Sequence, residues 1–252
     1  MKVYILDYGW LEGDINWMAA LKNFATKNNK TVSSCWTRFP EYGVLIETGE
    51  RWILYDTGSH PDDYDRSIRF PFYYREGQGI ISQLNMLGLQ PEDVGTVVLS
   101  HLHDDHAGNI HLFPHADIYI DWAEYTYMEK YRSESRVFQN LKEMERIHLF
   151  KEDFYIDTNI EILRLPGHSP GLAGMYLHSK AKPMFFVSDA VNMADNYGIP
   201  PKAAVGLFDE RLYFQMIENI RRVERETGAQ IIFGHDFEQF EKMKKCPEHY
   251  EL

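Results

Sequence analysis

A six-residue run, His101-Leu102-His103-Asp104-Asp105-His106, constrains this chain more than any other feature. It sets three imidazoles and two carboxylates just beyond a strand-length apolar segment, Val94 to Leu99. Side chains two apart on an extended segment share a face, so His101 and His103 point to one side. A turn then carries Asp105 and His106 to a neighbouring position. Imidazole and carboxylate are the donors that borderline divalent metals accept, and an Asp helps neutralise the ion's charge. Two imidazoles facing one point, with a carboxylate and a third imidazole beside them, can begin two adjacent metal sites. The chain must therefore fold so that this loop sits on a rigid frame and further ligands reach it.

The apolar pattern supplies such a frame. Val44 to Glu47 and Trp52 to Tyr55 read as strands of a hairpin around Thr48-Gly49-Glu50. Gln78 to Leu87 has the spacing of a short helix closed by Gly88, with Pro91 beyond it. Ile160 to Leu165, Met175 to Leu177, Met184 to Val187 and Gln230 to Phe233 read as strands. Tyr213, Met216, Ile217, Ile220 and Val223 share one face of a helix that Gly228 would end. His168, Asp189 and His235 each follow one of these strands, as His101 follows Val94 to Leu99. Polar residues placed just after buried strands are how α/β folds assemble sites from loops on a rigid scaffold.

The chain has 252 residues, 44% of them hydrophobic, enough for a substantial core, so one α/β domain spanning 1–252 is expected. Its net charge of -12, with Lys and Arg scattered, argues against a nucleic-acid partner. The opening Met1 to Gly9 reads as a β-strand and not a signal peptide, and no stretch is apolar enough to span a bilayer. A cytoplasmic protein without a membrane partner is expected. Cys35 and Cys246 stand in no metal-ligand spacing and read as unrelated thiols.

The His101 to His106 run resembles the HxHxDH signature of the metallo-β-lactamase superfamily. Pro166-Gly167-His168-Ser169-Pro170-Gly171, then Asp189, then Gly234-His235-Asp236 arrive in that family's order, and Tyr55-Asp56-Thr57-Gly58 resembles its strand-end Asp-Thr-Gly. The resemblance implies a four-layer αββα sandwich, two mixed sheets face to face with helices outside. It implies two divalent ions, zinc first, with iron, manganese and cobalt suited to the same donors. His101, His103 and His168 would hold one ion; Asp105, His106 and His235 would hold the other; Asp189 would bridge them. Asp56 would orient a ligand imidazole by hydrogen bond. A hydroxide shared by the ions would attack an ester-like carbonyl, with Asp105 shuttling a proton.

Within the superfamily, the compact length, Gly167 to Gly171, and Ile232-Phe233-Gly234-His235-Asp236-Phe237-Glu238-Gln239 are similar to the N-acyl-homoserine lactonases. The 4-pyridoxolactonase shares the motif order. Opening of a small-molecule lactone, and with it quorum quenching, is the implied activity. Alternatives are an ester or thioester hydrolase of the pyridoxolactonase or glyoxalase II kind, or a metal-binding module without catalysis. Two positions depart from the lactonase pattern. Asp104 stands where Phe is frequent, and Asn192 replaces a Tyr that contacts the lactone. Asn192 could donate a hydrogen bond to a developing oxyanion, and Tyr197 is read as a substitute for the missing Tyr. Phe70, Phe72, Tyr73 and Tyr74 lie in a long segment that reads as a lid, a homodimer contact or local core, and Trp17 and Met18 read as lining an apolar pocket. His60, His111, His115, His148, His178 and His249 read as surface histidines.

Overall fold

A computed structural model describes residues 1–20, 27, 35–49, 51–180 and 182–252. The strands are β1 (Lys2–Asp14), β2 (Trp36–Glu47), β3 (Trp52–Tyr55), β4 (Phe72–Tyr73), β5 (Val94–Val98), β6 (Asp117–Asp121) and β7 (Arg146–Phe150), followed by β8 (Phe154–Asp157), β9 (Ile160–Arg164), β10 (Ala173–Leu177), β11 (Met184–Phe186), β12 (Gln230–Ile232) and β13 (Tyr250–Glu251). The helices are α1 (Ile80–Met86), α2 (Asp104–Ala107), α3 (Trp122–Tyr131), α4 (Arg136–Lys142), α5 (Ala194–Tyr197), α6 (Glu210–Thr227) and α7 (Phe237–Glu241). One mixed sheet runs β13-β1-β2-β3-β5-β6-β7, with β4 also paired to β1; the second runs β12-β11-β10-β9-β8.

Strand periodicity divides the apolar side chains into layers. Val3, Ile5, Val44, Ile46 and Val98 of the first sheet meet Ile162, Met175, Phe186 and Ile232 of the second in a core between the sheets. Their neighbours Tyr4, Leu6, Leu45 and Val97 face the other way and bury Ile80 and Leu84 of α1 and Val137, Phe138 and Leu141 of α4. Behind the second sheet, Phe185 and Ile231 pack on Tyr213, Met216, Ile217 and Ile220 of α6. That spacing lays one stripe of α6 on the sheet, at about 1.5–3 kcal/mol for each large side chain fully buried. The expected αββα layering is thus present. Among the described residues no helix is long and apolar enough to cross a membrane.

The hairpin joins β2 and β3 in antiparallel register, and Thr48 N–H donates to Arg51 O at 3.1 Å; Glu50 of that turn lies outside the described residues. Two parallel pairings prepare the site. Tyr55 of β3 stands beside Val98 of β5, and Phe186 of β11 beside Ile232 of β12. Parallel neighbours end at the same edge of a sheet, so Asp56 emerges next to the His101 loop, and Asp189 next to His235.

Candidate metal centre

Where these strand ends converge, ligand-competent atoms from His101, His103, His168 and Asp189 form one group and those of Asp105, His106 and His235 a second; within each group the atoms lie within 4.8 Å of one another. In the first group His101 Nε2 and His168 Nε2 stand 2.9 and 3.1 Å from His103 Nδ1. Donors about 2.0–2.1 Å from a tetrahedral ion stand about 3.3 Å apart, so the three nitrogens are spaced as ligands of one ion. In the second, His106 Nε2 lies 3.3 Å from Asp105 Oδ2, and His235 Nε2 lies 3.5 Å from the same oxygen. Asp189 faces both groups. Its Oδ2 is 3.2 Å from His168 Nε2, and its Oδ1 is 3.3 Å from His106 Nε2 and 3.1 Å from His235 Nε2.

The backs of the rings are held. Asp56, buried after β3, accepts from Ser100 N and Ser100 Oγ, both at 2.7 Å, and from His106 Nδ1 at 2.9 Å. Because Ser100 Oγ donates to Asp56, it accepts from His101 Nδ1, 3.0 Å away. His235 Nδ1 donates to Pro40 O at 2.9 Å. Each bond fixes a tautomer and leaves Nε2 as the lone-pair atom facing inward. His106 Nε2, His235 Nε2 and Asp189 Oδ1 are buried with no hydrogen-bond partner among the described residues. Buried polar atoms without partners are costly, and three of them aimed at one another fit a cation between them. Gly234 permits this approach, since a Cβ there would stand 2.9 Å from Asp189 Oδ1.

The electrostatics agree. Burial, with like-charged histidines adding, pushes His101 well below its ordinary value, and burial brings His168 down to about 4, so both rings are neutral and ready to ligate. Burial also works to lower His106 and His235, but Asp105 and Asp189 outweigh it, lifting His106 well up and His235 to about 9. Burial opposes the charge on Asp105 and Asp189 as well, yet the surrounding histidines hold both carboxyls low. Carboxylates kept ionised in a buried site are what a cation requires.

A cavity of about 530 Å³ opens on this centre. His103, Asp105, His168, Asp189 and Asn192 line its floor, and Leu11, Trp17, Met18, Phe70, Phe72 and Val205 form an apolar wall. Trp17 and Met18 thus line the pocket as the sequence suggests. Phe70 and Phe72 join Leu11, Met18 and Phe39 in a small apolar cluster, so this part of the aromatic segment is both local core and cavity wall. Asn192 is buried, and neither its Nδ2 nor its Oδ1 has a partner among the described residues. Asp104 lies at the mouth; burial, then the charges of Asp105 and Asp63, push its carboxyl up.

Tyr197 is not brought to the cavity. It ends α5, its hydroxyl donates to Glu224 Oε2 of α6 at 2.9 Å, and its ring packs against Phe233. Pairing with α6 turns it away from the centre, so it does not stand in for the lactonase Tyr. Of the six histidines read as surface, none joins either group among the described residues. Among the described residues four pair with carboxylates: His148 with Asp117 and His178 with Glu161, both at 2.8 Å, His249 with Glu251 at 3.3 Å and His60 with Asp62 at 3.7 Å. Ser100, Leu11 and Asp63 line or support the site without having been singled out in the sequence. Ser100 alone carried a signal, its place directly before His101.

Residues 36–235 match the metallo-beta-lactamase superfamily. Over 266 residues the chain is 29% identical to the N-acyl homoserine lactonase AiiB of Agrobacterium fabrum, covering 97% of this chain and 96% of that one. It is 29% identical to an N-acyl homoserine lactonase of Bacillus cereus over 223 residues, 83% of this chain and 86% of the other. Its fold superposes with a TM-score of 0.85 on an N-acyl homoserine lactone hydrolase solved with N-hexanoyl-L-homoserine at its catalytic metal centre, at 24% identity and covering 99% and 98% of the two chains. With AidC, a dizinc quorum-quenching lactonase, the TM-score is 0.73 at 18% identity, covering 98% and 92%.

Proposed function

The chain belongs to the metallo-beta-lactamase superfamily, and on that premise we propose that it is a dinuclear metal-dependent lactonase acting on N-acyl-homoserine lactones or lactones of similar shape. One observation carries the reading: Asp189 turns one carboxylate oxygen to each histidine group on the floor of a cavity with an apolar wall. His101, His103 and His168 would hold one ion, Asp105, His106 and His235 the other, and Asp189 would serve both. Zinc is the ion proposed first, since imidazole and carboxylate donors suit it, although iron, manganese and cobalt take the same set. Bound there, two divalent ions supply a water activated near neutral pH and a Lewis acid for the ester carbonyl.

The residues divide the remaining work. The wall of Leu11, Trp17, Phe70 and Phe72 takes the apolar arm of the substrate and keeps bulk water off the ring. Asn192 Nδ2, buried and without a partner among the described residues, donates to the carbonyl oxygen as negative charge develops on it. Asp105 turns Oδ2 to His106 and His235; Oδ1 takes the proton of the attacking water and passes it to the ring oxygen as the acyl C–O bond breaks. Burial opposed by those histidines keeps this carboxylate a weak base, so it holds the proton only in transit. The proposal takes residues 1–252 as one hydrolase unit, because β1 and β13 from opposite ends of the chain pair in one sheet.

Two measurements test it. Metal analysis after metal-replete expression should return about two ions per chain, and one or fewer overturns the dinuclear reading. A pH-stat panel of acyl-homoserine lactones, pyridoxolactone, γ-lactones and a thioester should show lactone turnover; turnover of the thioester alone overturns the substrate class.

A further inference from the structure

We propose that Glu124 is a positioning residue for the first ion site, one carboxylate that clamps the His101–His103 loop and the His168 loop at a fixed separation. This rests on the reading of His101, His103, His168 and Asp189 as ligands. Glu124 sits in the first turn of α3 and is 2% exposed. Its Oε1 accepts from Leu102 N at 3.1 Å and its Oε2 from Gly171 N at 3.0 Å. Leu102 lies between two of the ligands, and Gly171 lies three residues after the third. Both loops therefore take their spacing from a single side chain that touches no ligand.

The clamp is built on a fixed base. Asp121, the N-cap of α3, accepts from Ala123 N at 2.7 Å and also pairs with Arg164 of β9, the strand that leads into the His168 loop. The first turn of α3 is thus tied to both sheets. A Cβ at Gly171 would stand 2.5 Å from Glu124 N and 2.7 Å from Glu124 Cβ, so the His168 loop is pressed against the helix as only glycine allows. Leu102 and Gly171 are both buried, so their N–H groups have no water to turn to if the carboxylate is lost. Among the described residues one backbone–backbone bond also joins these segments, from Ala173 N to Ser100 O at 2.9 Å. Bonds to an ionised acceptor are the strong kind, and a ligand set tolerates displacements of only about 0.5 Å.

The test is metal affinity. Glu124→Gln preserves shape but turns an amide N–H₂ toward one of the two backbone N–H groups. Chelator competition with zinc, and the visible spectrum on titration with Co²⁺, should show one of the two ions bound about 10–100-fold more weakly and the other unchanged. The rise in Tm on adding zinc should shrink. Gly171→Ala, which keeps the Glu124 carboxylate but forces the loop off the helix at Asp121 Oδ1, Glu124 N and Glu124 Cβ, should have the same effect, and it carries the test if Glu124→Gln does not fold. Val137→Ala, a core truncation on the buried face of α4, should lower Tm in both metal-free and metal-loaded protein yet leave both affinities at wild-type values. Wild-type affinities in Glu124→Gln, or in Gly171→Ala where that variant carries the test, overturn the clamp. A wild-type chain that binds no ion at the first group overturns the ligand reading beneath it.

Discussion

Asp56→Asn separates a residue that holds a ligand from one that merely shapes a turn. Asp56 adopts φ 61°, a left-handed conformation that Asn tolerates as well as Asp, so the substitution adds no backbone strain. What changes is the acceptor set. The native carboxylate takes Ser100 N, Ser100 Oγ and His106 Nδ1 at 2.7, 2.7 and 2.9 Å; Asn keeps one acceptor oxygen and sets an N–H₂ against the remaining donors. If the lost bond is the one to His106, that ring either buries an unpaired donor or moves its proton to Nε2, the atom facing Asp105 and Asp189 at 3.3 Å. A hydrogen bond to a charged group is worth about 1.5–3 kcal/mol net. At about 1.4 kcal/mol per factor of ten, zinc should bind about 10–100-fold more weakly. Titration against a chromophoric chelator measures this, with the metal-free Tm recorded alongside. Zinc affinity within twofold of wild type, alongside a lowered metal-free Tm, would show that Asp56 supports only the turn.

Asn192→Leu, close in shape but without the amide, should lower kcat for lactone opening by about 10²–10³ while KM changes little; an unchanged kcat removes Asn192 from the reaction. Trp17→Ala should raise KM for long-chain acyl lactones more than for short ones, and an equal effect on both places the acyl arm elsewhere. Glu41 is fully buried beside Ser59, and burial, with the charge of Asp105, pushes it up to about 8 from the usual 4.5. The folded protein thus holds this proton more tightly than the unfolded chain. Its contribution is complete below about pH 4 and lost as pH rises through 8. The Tm of chelator-treated protein should fall across that window. Glu41→Gln should flatten the fall, and a profile identical to wild type refutes the assignment.

Much of the frame was legible because periodicity is local. The stripe of α6 reports which face is buried without knowledge of what covers it, and the parallel strands β5, β11 and β12 read as short apolar runs for the same reason. The residues of the two candidate ligand groups were legible because each follows such a run. Direction across space was not. Tyr197 is five residues beyond Asn192, yet the bond to Glu224 holds it against α6 and off the cavity lining, and nothing in the intervening residues encodes the position of α6. Glu124 carried no signal at all, being one acidic residue among many in an acidic chain.

By itself the sequence determined the kinds of atoms available and their places at strand ends, since those follow from chemistry and from patterns a few residues long. Only the packing of the two sheets decided that Asp189 divides its oxygens between two histidine groups, and that the Asn192 amide lies buried in the cavity floor with no partner among the described residues. The sandwich also brought Glu124 to both ligand loops. These relations join residues up to tens of positions apart, and they exist only when the layers close on their shared core.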